Sequence, residues 1–289
     1  MKTRILSAAV GIIVAVVILT LNVTRFPWLL NIAVAVVACM ALYELLVATK
    51  FIDNAAIVIT SFAATAFIQF IPAFPEDIWI RLFSACGVVY FIALFCIMLC
   101  SHKKLHVERL GLAFMATALI ALPFFSMLYM YWKNPYDKGE FHYIGQALVI
   151  LCFLLSWFTD AGAYFVGTFC GKHKLAPEIS PKKTVEGMIG GFVCCVGLVA
   201  LVGYLFTGPL ELVSFDINWL NLLLVTVVSS VISVIGDLSF SIIKRAFDIK
   251  DFGKIMPGHG GVLDRFDSVI FVSPVVCIMN MFLPIIIVK

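Results

Sequence analysis

Nine predominantly apolar stretches of this chain, 19 to 27 residues long, are long enough for a helix to cross a hydrocarbon layer roughly 30 Å thick, which takes about 17 to 25 residues. They lie near 5–23, 27–48, 55–73, 82–100, 110–132, 144–169, 184–207, 219–245 and 262–288. A chain in hydrocarbon has to satisfy its own backbone polar groups, and the helix is the open-ended element that does so. Charged residues make up only 13% of the chain and hydrophobic ones 63%, with mean hydropathy +1.09. Soluble domains carry roughly 25% charged residues. The chain therefore reads as an all-α polytopic membrane protein of about nine transmembrane helices.

Met1-Lys2-Thr3-Arg4 before the first apolar run has the charge of a signal peptide. No small-residue cleavage site followed by a polar mature chain appears, so the run is kept as a helix. The net charge of +3 is uninformative, but its distribution is not. With the N-terminus cytoplasmic and the C-terminus outside, fifteen of the 20 Lys and Arg face inward, leaving Arg25, Arg81, Lys133, Lys138 and Lys289 outside. That bias predicts a multi-pass protein of the cell's inner (cytoplasmic) membrane in this orientation. The nine cysteines lie almost entirely in apolar segments without a CxxC pair, which suggests packing residues rather than a zinc site or a disulfide framework.

Residues 1–132 read as an N-terminal scaffold of about five helices, and 133–289 as a C-terminal catalytic region of about four with a cytoplasm-facing site. In the scaffold, Glu44 is an ionisable residue in the cytoplasmic third of the second segment: a site candidate by type, or a carboxyl satisfied by Tyr43 or a neighbouring helix. The connection Ser101-His-Lys-Lys-Leu-His-Val-Glu-Arg109 reads as a topology signal that attracts anionic headgroups. His102 and His106 have no acidic or Cys partner there for a metal.

Beyond residue 150 the polar residues change character. Ser156, Asp160 and Tyr164 recur four apart, on one face of the sixth segment. The loop to the seventh segment carries Lys172, Lys174, Lys182 and Lys183, and Ser180-Pro181 has the form of a helix cap followed by Pro at the first helical position. Amides at such a start, with Lys183 beside them, attract anions. Gly187, Gly190 and Gly191 follow at spacings that favour close helix packing.

The highest charge density lies between Ser241 and Asp267. Asp237, Ser241 and Lys244 fall at i, i+4 and i+7 with Arg245 adjacent, a polar stripe on the eighth segment. Asp264 and Asp267 share a face in the first turns of the ninth. An Asp at a bilayer centre costs roughly 2.5 to 3.5 kcal/mol, and converging carboxylates repel as well. Ion pairs with Lys244, Arg245 and Arg265 would offset both costs, and so would a divalent cation. Oxygen-only donors favour Mg²⁺ over Zn²⁺, and Mg²⁺ accepts substrate phosphates beside one or two carboxylates. The glycines around His259 can aim backbone amides at phosphate oxygens. Together these features predict a metal-assisted phosphoryl or nucleotidyl transferase at the inner membrane surface.

The pattern Ser241-x-x-Lys244-Arg245-x4-Lys250-Asp251-x-Gly253-x3-Pro257-x-His259-Gly260-Gly261-x-x-Asp264-Arg265-Phe266-Asp267 resembles the signature of the phosphatidate cytidylyltransferases, the CDP-diacylglycerol synthases. Asp160-Ala-Gly-Ala-Tyr164 and Ser180-Pro-Lys-Lys-Thr-Val-Glu-Gly187 resemble that family too, so the likeness is strong over roughly 150–270. Met256 stands where Leu, Ile or Phe is expected, an apolar exchange. The resemblance implies that CTP and phosphatidic acid become CDP-diacylglycerol and pyrophosphate with Mg²⁺. It also implies a metal centre at Asp237 and Asp264, with a K⁺ ion beside Mg²⁺, and a homodimer in the bilayer.

On that basis Lys244, Arg245 and Lys250 would neutralise the triphosphate and Ser241 would position a phosphate. Asp267 would be a further metal ligand or would orient Arg265. Asp160, Lys183, His259, Gly260, Gly261 and Arg265 would contact substrate. No general base is required, because a phosphate monoester, with its second pKa near about 6, is already nucleophilic at neutral pH. No nucleic-acid partner is expected. Two rivals share the parts: a CTP-dependent lipid kinase, whose product lacks cytidine, and a cation-coupled transporter, which predicts broken helices at the midplane.

Overall fold

The computed structural model describes residues 11, 13, 14, 16–21, 26, 28–49, 52–103, 105–133, 143–208, 215–256 and 260–288. Among them are eight helices long and apolar enough to cross a membrane, with mean hydropathies of 1.4 to 2.5 over their most apolar windows. The expected span at 5–23 lies partly outside the described residues, and those described between 11 and 21 are helical. The chain divides into two compact units, Met1–Tyr143 with Ile249–Phe266, and Ile144–Asp248 with Asp267–Lys289. The segment Ile249–Phe266 thus groups with the first unit although it follows most of the second in sequence.

The first unit holds α1 (Leu29–Tyr43), α2 (Ala55–Ile68), α3 (Glu76–Cys100) and α4 (Val107–Trp132). α1 continues into a π-helical turn, Glu44–Ala48. α2 starts where Asn54 Oδ1 accepts the Ala56 and Ile57 amides. It stops at Ile68, short of the expected 73, because Pro72 turns Ile71–Ala73 into a 3₁₀ segment. Lipid tails are as apolar as Leu, so polar ties contribute to helix association here. The Tyr90 hydroxyl bonds Ser61 at 2.9 Å and Thr117 at 2.8 Å, joining α3 to α2 and α4. Asn31 donates to the Gln69 carbonyl at 2.7 Å and accepts from Trp132 Nε1 at 2.9 Å.

The second unit contains α5 (Tyr143–Cys170) from Ile144 on, an antiparallel ribbon of β1 (Lys174–Ala176) and β2 (Ser180–Thr184), and α6 (Val185–Thr207). It continues through β3 (Phe215–Ile217), α7 (Trp219–Ala246), α8 (Leu263–Phe282) from Asp267 on, and β4 (Ile286–Val288). α5 and α6 approach closely through small residues. A Cβ added at Gly191 would lie 2.7 Å from the Thr159 carbonyl, and one at Gly187 2.7 Å from that of Ala163. Gly190 faces Val166 in the same way. The packing expected of these glycines is what they do.

Two sequence expectations are corrected in this unit. Ser180 and Pro181 do not start a helix: they lie in β2, and α6 begins at Val185 with Thr184 as its cap, its Oγ1 accepting the Gly187 amide at 3.1 Å. Pro181 has no N–H to spare, which an edge position in a two-stranded ribbon tolerates, and Thr184 leads directly into the apolar run. The last span ends at Phe282 rather than 288. Pro284 breaks it, Asn280 Oδ1 takes the Ile285 amide at 3.1 Å, and Ile286–Val288 pairs antiparallel with β3.

Candidate active site

In the second unit three carboxylates and two lysines gather from four elements. Asp160 comes from α5, Lys183 from β2, Asp237 and Lys244 from α7, and Asp267 from α8. Gly236, just before Asp237, lets α7 come against α8: a Cβ there would sit 2.9 Å from Phe271 Cβ and 3.1 Å from the Asp267 carbonyl. Lys183 Nζ is ion-paired with Asp237 Oδ2, both side chains about one-quarter exposed. Ser241, one turn along α7, donates to Asp237 Oδ1 at 3.4 Å.

Ser268 connects the other two acids. Its hydroxyl donates to Asp160 Oδ2 at 3.1 Å with Asp267 Oδ1 at 3.5 Å, and its amide donates to Asp267 Oδ1 at 2.8 Å. The Asp237 and Asp160 charges repel that of Asp267, while Lys244 attracts it. Asp267 is buried, 9% exposed. The cluster thus concentrates three negative charges against two positive ones in a setting only partly open to water, which strengthens every one of these interactions.

Asp264, expected from the sequence beside these acids as a metal ligand, lies in the first unit. Its Oδ2 accepts the Phe252 amide at 2.9 Å and the Gly261 amide at 3.0 Å, closing the segment that precedes α8. Gly260 in that segment has φ +88°, a conformation that side chains rarely adopt, and its carbonyl accepts the Met256 amide at 3.0 Å. Lys250 and Arg265 are exposed. His259 lies outside the described residues. Arg245 points toward the ribbon, with Nε 3.5 Å from the Ile179 carbonyl. α7 ends just beyond Arg245, where Asp248 takes φ 52°, a left-handed turn that Asp tolerates better than most residues.

Among the described residues no three His, Cys, Asp or Glu side chains are grouped to hold a metal ion. The donors that do come together nevertheless fit a hard cation. They are carboxylate oxygens, they repel one another, and Mg²⁺ takes only one or two protein carboxylates when substrate phosphates and water complete its shell.

The sequence has counterparts among known proteins. A family model described as the cytidylyltransferase family matches residues 2–283. The chain belongs to the cytidylyltransferase family. A phosphatidate cytidylyltransferase of Staphylococcus epidermidis is 36% identical over 286 residues, covering 96% of this chain and 98% of the relative. One from Staphylococcus haemolyticus is 42% identical over 182 residues, covering 63% of this chain and 65% of the relative. One from Staphylococcus aureus is 41% identical over 179 residues, covering 62% and 64%. The latter two alignments thus span about two-thirds of their relatives' length.

One residue was not anticipated from the sequence, and another was anticipated without its partners. Ser268 carries no signal beyond its place after Asp267. Glu44 was singled out as an ionisable residue in an apolar span, but its partners lie more than two hundred residues away.

Proposed function

We propose that this chain transfers the cytidylyl group of CTP to phosphatidic acid, releasing pyrophosphate and leaving CDP-diacylglycerol in the membrane. Family membership and the names of the relatives support the reaction. The observation that carries the chemistry is the cluster of Asp160, Asp237 and Asp267 with Lys183 and Lys244, borne on three membrane helices and a basic ribbon.

A phosphatidate oxygen attacks the α-phosphorus of CTP, one P–O bond forms, and the bond to the β-phosphate oxygen breaks with its electron pair leaving on pyrophosphate. The nucleophile is ionised at neutral pH, so the protein need not remove a proton. Its work is positioning and charge neutralisation. Lys183 and Lys244 offset charge on the triphosphate, and Ser241 offers a hydroxyl to a phosphate oxygen. Lys250, Arg245 and Arg265 add cationic contacts and Gly260 offers its amide to a phosphate, whereas the Gly261 amide is taken by Asp264. Asp237 and Asp267 would hold Mg²⁺, with Asp160 held beside them through Ser268, and the ion would supply further neutralisation of the phosphates. A K⁺ ion at the same carboxylates, a homodimeric assembly, a cytoplasmic N-terminus and residence in the inner membrane belong to the same proposal.

Purified protein incubated with Mg²⁺, phosphatidic acid and CTP labelled in the base would move cytidine label into the lipid fraction. Transfer of γ-phosphate label without cytidine would make it a lipid kinase instead, and no label in lipid would overturn the reading.

A further inference from the structure

Glu44 is a carboxylate with no exposed surface, set in the π-helical turn that follows α1. Such turns redirect side chains that a regular helix would point elsewhere, and they recur at functional sites. Oε1 accepts the Val262 amide at 3.0 Å and Oε2 the Leu263 amide at 2.8 Å. These N–H groups stand at the start of α8, where a helix leaves amides unsatisfied and carries partial positive charge. The cap of the last helix is therefore supplied by a side chain from the start of the chain.

Two glycines are fitted around the same carboxylate. A Cβ at Gly253 would come 2.2 Å from Oε1, and one at Gly261 2.4 Å from Oε2. Asp264 binds the Phe252 and Gly261 amides from within the same segment. The charges on Glu44 and Asp264 repel each other. Four amide N–H groups donated to the two carboxyls offset that repulsion. Between them the two acids hold both ends of Phe252–Asp264.

We propose that Glu44 is a positioning residue for nucleotidyl transfer, setting the conformation of Phe252–Met256 and Gly260–Asp264 so that the flanking cations Lys250 and Arg265 meet the substrate phosphates. The inference rests on the cytidylyltransfer reading. Its test uses intact purified wild type, Glu44→Gln, Glu44→Ala, Gly253→Ala and the Glu44→Ala/Gly253→Ala pair. Each is assayed for CTP dependence per monodisperse molecule and for tryptic cleavage after Lys250 and Lys254.

Glu44→Gln keeps the shape but turns one acceptor into a donor facing an N–H, so KM for CTP rises roughly tenfold or more and cleavage of the segment quickens. Gly253→Ala costs less in the Glu44→Ala background than in wild type, because the methyl enters vacated space. The proposal is overturned if Glu44→Gln keeps wild-type kinetics and cleavage. It is equally overturned if the two single effects simply add, or if lost activity follows only the amount of folded protein. Wild type that transfers no cytidine would sink the functional reading instead, while the cleavage and coupling arms would still report on the clamp.

Discussion

Lys183, on the second strand of a small ribbon, holds its ammonium against the carboxylate of Asp237 on α7. A loop between two membrane helices thereby provides the counter-charge for an acid on a third. Asp237 also faces the charge of Asp267, so removing the lysine leaves partly buried negative charges with Lys244 as the remaining nearby cation.

Replacing Lys183 with Met should lower CTP-dependent turnover on the order of 100-fold, since stripping one partner from a desolvated pair costs several kcal/mol. Lys183→Arg keeps the charge and should retain part of the activity. Turnover by Lys183→Met within a few-fold of wild type, measured as cytidine label in lipid, would show that this pairing is not part of the machinery.

Asp237→Asn, Asp264→Asn and Asp267→Asn should each abolish conversion while the protein still elutes from gel filtration as the wild type does. The causes differ. The first and third remove charge from the acid cluster, whereas the second weakens the bonds to the Phe252 and Gly261 amides. Only Asp264→Asn should therefore also speed tryptic cleavage after Lys250 and Lys254.

Chelation by EDTA should stop turnover, and added Mg²⁺ should restore it. Zn²⁺ should restore it poorly, because the donors gathered among the described residues are carboxylate and hydroxyl oxygens. Full activity after exhaustive chelation would remove the metal from the scheme.

Thr184→Ala removes the cap of α6 and should cost about 1 kcal/mol. That corresponds to a midpoint roughly 2–4 °C lower for a protein of this size. Thr184→Ser keeps the accepting oxygen and should unfold near wild type in a detergent melting experiment.

What the sequence by itself determined is what a bilayer reads residue by residue. Segment length and hydropathy marked the spans, i, i+4 spacing placed Asp237, Ser241 and Lys244 on one face of α7, and Gly187, Gly190 and Gly191 announced a close helix contact. The signature from Ser241 to Asp267 pointed to the family. Tertiary structure decided the partners. It gave Lys183 to Asp237, joined Asp160 to Asp267 through Ser268, kept Asp264 for the backbone of its own segment, and brought Glu44 to the start of α8. Helical periodicity is a local property of backbone geometry, so it can be read from neighbours in the chain. A buried charge is settled by whichever donor the fold brings within about 3 Å, and nothing in the residues around Glu44 names an amide more than two hundred positions away.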